Sequence, residues 1–194
     1  MPDEGLLWSN FWNKNKILMN LLTFTPTYLG VTRYLRSLNL SKNSRILDAG
    51  CGTGKLTSFL HSEGYDILGV DTSDEALALT QSKGVPVRKA DILKGLPFED
   101  NTFDLVYSDG LLEHFTDPAP IINELSRVGR KYLVTFVPRI ELYSSITAAV
   151  LKPPLEYKRP DQEWIQLHAK IPHNDIRSEK IRFGLLAVLV ELKK

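Results

Sequence analysis

One segment restricts this chain more than any other: Ile46-Leu47-Asp48-Ala49-Gly50-Cys51-Gly52-Thr53-Gly54. Its first half reads as a buried strand, and glycines at alternate positions then let the backbone turn sharply and come close to a ligand. Helical periodicity begins at Lys55, so the turn opens a helix whose N-terminus carries free N–H groups. Strand, glycine turn and helix together are the start of a βαβ unit with a ligand site beyond the strand's carboxyl end.

Three ligand classes use such turns, and spacing separates them. A phosphate-cradling Walker A loop is suggested by Gly54-Lys55, but Ala49 stands where its first glycine belongs and Leu56 where Ser or Thr would hold magnesium. The dinucleotide fingerprint G-x-G-x-x-G begins correctly with Gly50 and Gly52. Lys55 then occupies its third glycine position, and Gly54 comes one residue early.

The rest of the middle continues the alternation. Residues 44–49, 66–70, 85–89, 103–108 and 131–137 read as strands, and 55–63, 74–83 and 118–128 as helices. Gly64 and Gly84 end the first two helices; Thr72 and Glu75 stand at capping-box spacing before the second, and Asp117 caps the third. Pro86 cannot donate to a ladder, which puts the third strand at a sheet edge. The expected fold is α/β: a Rossmann-like, doubly wound, mostly parallel sheet in a three-layer αβα sandwich. Two helices, 6–22 and 26–39 with Thr25 as cap, precede it. After Pro138 a helical stretch to Leu151 is interrupted by Pro153 and Pro154 and resumes over 161–169. A β-type run, 181–192, follows with Gly184 as its only break.

The 46–54 segment resembles the first motif of class I S-adenosylmethionine (SAM) dependent methyltransferases, hydrophobic-hydrophobic-Asp-hydrophobic-Gly-x-Gly-x-Gly, with every element present. The likeness runs in order through about residues 40–140. It is nearest the small-molecule, type 11 branch typified by ubiquinone and menaquinone biosynthesis methyltransferases. It implies strand order 3-2-1-4-5 followed by a C-terminal strand or strands, SAM as cofactor and S-adenosylhomocysteine (SAH) as product. One domain over 1–194 would comprise a helical cap (1–43), a SAM-binding core (44–137) and an acceptor-side segment (138–194).

The resemblance also assigns roles. Gly50, Cys51 and Gly52 form the cofactor turn, Cys51 being a small residue whose N–H faces the ligand. Asp71 ends the second strand 21 residues after Gly50, near the ~20 expected for a carboxylate on ribose hydroxyls, with Thr72 beside it. Capping the next helix is the alternative role for Asp71. Asp91 and Ile92 match the positions that contact the adenine amino group and ring, a loop turn being the alternative for Asp91. Asp48 would face the cationic amino-acid end of SAM or brace the turn. Ser108 and Asp109, at the end of the fourth strand, would border the methionine moiety. His114, in Gly110-Leu111-Leu112-Glu113-His114-Phe115, is a candidate general base or a loop-fixing residue; histidine's ordinary pKa, ~6.5, suits the former.

Composition and absences narrow the acceptor. A net charge of +1 over 194 residues gives no global field for nucleic acid or anionic membrane, and the acidic excess lies in residues 46–150, between mildly basic flanks. No Asp/Asn/Ser-Pro-Pro-aromatic motif of base amino-methyltransferases follows the fourth strand. Cys51, the lone cysteine, sits in the cofactor turn and not where a cytosine carbon-5 nucleophile belongs. The expected partner is a small-molecule methyl acceptor, without nucleic acid, metal or membrane span, in the cytoplasm. Trp8, Phe11 and Trp12 on one flank, and Tyr143, Tyr157, Trp164 and His168 on the other, either wall the acceptor or pack the core. Two readings from other classes stay open: a nicotinamide-dependent oxidoreductase, and a protein that binds SAM without turnover. One departure stands out. The family sheet ends in a hairpin, whereas 181–192 offers one clear strand, so the expectation is a very tight hairpin or a shortened sheet.

Overall fold

The computed structural model describes residues 26–140, 156–181 and 184–193, together with Asn10 and Lys14. The expected first helix with Trp8, Phe11 and Trp12, the Thr25 cap, and the stretch holding Tyr143, Leu151, Pro153 and Pro154 lie outside the described residues.

Strands β1 (Arg45–Ala49), β2 (Asp66–Asp71), β3 (Val87–Lys89), β4 (Phe103–Asp109), β5 (Gly129–Pro138), β6 (His173–Ile181) and β7 (Leu185–Leu192) form one sheet of order β3-β2-β1-β4-β5-β7-β6. The first five are parallel, and β7 runs antiparallel to both β5 and β6. The helices are α1 (Pro26–Ser37), α2 (Lys55–Ser62), α3 (Asp74–Gln81), α4 (Ala119–Val128) and α5 (Asp161–His168).

Period-two alternation sends side chains to two apolar layers. On one face Leu47, Val106, Leu133 and Val188 meet Ile121, Ile122 and Leu125 of α4 and Trp164 of α5. On the other, Ile46, Leu105, Val134 and Phe136 meet Val31 and Leu35 of α1 and Leu56 and Leu60 of α2. Each such side chain, fully buried, contributes about 1.5–3 kcal/mol of transfer free energy, and both faces of the sheet are covered as a parallel sheet requires.

The edge position of the third strand is as Pro86 demands. The strand starts one residue after that proline, whose carbonyl still accepts from Gly69 N at 3.0 Å. The α3 cap is Ser73 and not Thr72: Ser73 Oγ accepts from Ala76 N at 3.2 Å and donates to Glu75 Oε2. Of the two outcomes for the sheet, the tight hairpin holds. Gly184, at φ 96, stands at the bend before β7, a conformation that favours glycine. β6 has no counterpart among the expected strands because five of its nine side chains are exposed and four are charged, so no apolar run marks it. Those charges also protect an edge strand from pairing with other chains.

Candidate functional site

The order of the sheet reverses between β1 and β4, which leaves a crevice beyond their carboxyl ends. The glycine turn after β1 closes one side. Gly50, Gly52 and Gly54 all have positive φ, at 76, 50 and 68. Gly50 N and Cys51 N donate to Val70 O at 2.9 and 3.0 Å, and Gly52 N donates to Asp71 Oδ2 at 2.8 Å. The expectation that the Cys51 N–H faces a ligand is therefore corrected. Buried backbone donors need partners, and the end of β2 satisfies these three. What the turn offers a ligand is close backbone approach. A Cβ on Gly54 would overlap Thr80 of α3, so that glycine serves helix packing.

A cleft opens in front of the turn. Gly50, Asp71, Thr72, Asp91, Ile92 and His114 line it, bringing together six of the nominated residues from four separate stretches of chain. Leu96, Leu111 and Phe115 supply apolar wall. None of these three was singled out from sequence; Leu111 and Phe115 flank His114 in its motif, and Leu96 sits in an irregular loop without a signal. Asp48, Cys51, Gly52 and Ser108 do not line the cleft.

Asp71 holds its place through its second oxygen as well, Oδ1 accepting from Ser73 N at 2.9 Å. Burial raises its pKa against the lowering pull of hydrogen bonds from the Ser73, Gly52 and Thr72 amides. Asp71 thus orders the chain entering α3 and also faces the cleft. Asp91 also has a local role. Its Oδ1 accepts from Leu93 N at 3.0 Å, starting the short 3₁₀ turn Ile92–Lys94, and Lys94 Nζ lies 2.9 Å from Oδ2.

Behind the turn, Asp48 is a brace. Its Oδ2 accepts from Thr57 Oγ1 at 2.6 Å and from Tyr107 OH at 2.7 Å, tying β1 to α2 and β4. Burial lifts its pKa to about 7, with the two hydrogen bonds opposing. Burial, with the Asp48 and Asp71 charges, pushes the Cys51 thiol well above its usual range. Ser108 is buried in β4, and its Oγ has no hydrogen-bond partner among the described residues.

The loop after β4 carries His114 at the end of the 3₁₀ turn Leu112–His114. Glu113 next to it is buried, with Oε2 unpartnered among the described residues, and burial with the neighbouring Asp109 and Glu156 charges pushes its pKa to about 8. Trp164 and His168 belong to the core under the sheet, both 0 % exposed, and form no acceptor wall. His168 Nδ1 donates to Trp164 O at 2.7 Å, which leaves Nε2 to accept from Thr135 Oγ1 at 2.9 Å. Among the described residues no group of three or more His, Cys, Asp or Glu side chains is arranged to hold a metal ion, and no helix is long and apolar enough to cross a membrane.

Residues 47–132 match the family model of a methyltransferase domain. Demethylmenaquinone methyltransferase of Lactiplantibacillus plantarum is 36% identical over 129 residues, covering 55% of this chain and 54% of that protein. The same enzyme of Staphylococcus saprophyticus is 30% identical, covering 63% and 55%. The chain spans about half the length, or less, of the curated relatives it matches. The fold is shared with a SAM-dependent methyltransferase of Thermotoga maritima, TM-score 0.77 at 17% identity, covering 96% of this chain and 99% of that one. It is shared also with magnesium protoporphyrin IX methyltransferase of Synechocystis PCC 6803 with bound SAH, TM-score 0.71 at 16% identity, covering 98% and 100%.

Proposed function

We propose that the chain is a class I SAM-dependent methyltransferase of the type 11 kind, a reading that the match over residues 47–132 supports, and that it moves a methyl group in line from SAM to an O, N or C atom of a small molecule. The observation that carries this reading is the meeting of Asp71 and Asp91, from the ends of β2 and β3, with the apolar Ile92, Leu96 and Phe115 around one cleft. A nucleoside needs that combination: a carboxylate for two ribose hydroxyls, an acceptor for the adenine amine and an apolar slot for the ring. A carboxylate at Asp71 also repels a 2′-phosphate.

In this reading Asp71 holds the ribose, Asp91 and the Ile92 backbone hold the adenine, and Gly50 lets the chain approach closely. Thr72 completes the ribose side. Asp48, Cys51, Gly52 and Ser108 support the site from behind. SAM supplies an electrophilic methyl on a sulfonium. The chain's part is then to align the acceptor atom with that methyl, the source of most of the rate when the acceptor is already ionised. Where it is not, His114, which lines the cleft, takes the proton. The flanks, 1–43 and 138–194, serve acceptor recognition around the 44–137 core in one domain, and the lone Cys51 fits action in the cytoplasm.

Calorimetric titration with SAM, SAH and NADH, followed by transfer of labelled methyl across a panel of metabolites, tests the proposal. Binding of SAM and SAH with labelling of at least one acceptor is the expected result. Tight NADH binding without SAM binding would overturn it, and SAM binding with no acceptor labelled would mark a binding protein.

A further inference from the structure

Two arginines, neither lining the cleft, reach from behind it to the carbonyls of loops that do. Arg127, near the end of α4, donates through Nη2 to Leu96 O at 3.1 Å and through Nη1 to Phe98 O at 2.9 Å. Its partner Glu124 accepts from Leu96 N at 2.6 Å, so one ion pair fixes both backbone groups of a residue on the wall. Arg159, just before α5, donates through Nη2 to Phe115 O at 3.1 Å and to Thr116 O at 2.5 Å. Arg159 is buried, its guanidinium lies 5.1 Å from the centre of the fully buried Trp164 ring, and its Nε is 3.0 Å from Glu163. Close by, Tyr157 N donates to Glu113 O at 2.7 Å.

Carbonyls in irregular loops have no ladder partner and need donors from elsewhere. A guanidinium has five donors in a planar fork and can tie neighbouring carbonyls at once, whereas an ammonium offers its donors from a single point. These hydrogen bonds fasten the Leu96 and Phe115 walls to α4 and α5 and leave their apolar side chains facing the cleft.

We propose that Arg127 and Arg159 are positioning residues that set the width of the slot between the Leu96 and Phe115 loops, and so decide how large a purine edge the cleft accepts. This rests on the cleft taking the adenosine part of SAM. With the ring beside Asp91 and Ile92, the two fastened loops limit what fits at the exocyclic amine. Loosening either one weakens adenine binding and admits a larger substituent.

Titration of the full chain and of R127K and R159K with SAH and with its N6-methyl derivative tests this. The unaltered chain is expected to prefer SAH by about tenfold, a methyl's worth of steric discrimination. Each lysine variant, folded by circular dichroism, is expected to bind SAH about tenfold more weakly, the loss of a charge-assisted hydrogen bond. In each variant the preference over the methylated ligand should narrow to about threefold or less. Glu163→Gln, which loosens Arg159 without removing it, should shift the preference in the same direction even where R159K fails to fold. A folded variant with unchanged affinity and preference overturns the assignment, and so does one that loses affinity with the preference intact. If the unaltered chain binds no SAH, the methyltransferase reading falls and this one falls with it.

Discussion

Thr80 of α3 stands in the space that a side chain on Gly54 would need, and its hydroxyl reaches the Gly52 carbonyl at 3.0 Å. The turn is held by its neighbouring helix as much as by its own glycines. Gly54→Ala therefore meets two penalties, the positive φ at about 1–2 kcal/mol and the overlap at about 1–3 kcal/mol. Urea denaturation should show Gly54→Ala destabilised by several kcal/mol. The double variant with Thr80→Ala should lose less than the two single losses combined, because removing Cγ2 and Oγ1 relieves part of the overlap. Additive losses would mean the two residues do not compete for that space.

Asp71→Asn keeps the shape of the side chain but replaces one oxygen, removing the charge and an acceptor for Gly52 N or Ser73 N. Charge-assisted hydrogen bonds contribute roughly 1.5–3 kcal/mol, so SAM affinity should fall by about 10- to 100-fold. Calorimetry on the folded variant decides; an unchanged dissociation constant would remove Asp71 from the ligand site.

Cys51 should be inert. A buried thiol with a raised pKa has almost no thiolate at neutral pH. Mass spectrometry after iodoacetamide treatment should find the native chain unmodified and the urea-unfolded chain fully alkylated. Rapid alkylation of the native protein would contradict the burial.

Stability should depend on pH in two opposed ways. Glu113 rises from 4.5 to about 8 and Asp48 from 3.8 to about 7, so the folded state keeps protons that the unfolded chain has released. Their contribution falls as pH rises through those intervals. His168 is lowered from 6.5 to about 4 by burial, against the pull of its bond to Trp164 O. The unfolded chain takes that proton first, so this stability is present above pH 6.5 and lost as pH falls toward about 4. Denaturation curves from pH 5 to 9 should slope downward above pH 6.5, and Glu113→Gln should flatten that limb. His168→Gln should instead steepen the decline between pH 5 and 6.5, because it removes the one contribution that rises with pH there.

The glycine turn, the carboxylate at the end of the second strand and the alternation of strands with helices could be read from the chain because each follows from local rules: glycine spacing, an acidic residue at a strand end, apolar runs alternating with helical patterns. The strand order came only from the family resemblance. What could not be read depends on distant partners. Asp48 is a brace because Tyr107, 59 positions away, donates to it. Trp164 and His168 sit four apart on α5, a spacing that places them on one face without saying which layer that face meets. β6 escaped notice because Asp175, Arg177, Glu179 and Lys180 interrupt it on both faces, so nothing apolar repeats. Leu96 and Phe115 lie in loops, where apolar residues follow no period.

Gly50, Cys51 and Gly52 give their amides to the end of β2. One margin of the cleft is in effect part of the sheet, while the margin at residues 110–116 is a loop after β4. The three turn amides should therefore exchange with deuterium on the timescale of the strand core and not on that of a surface loop.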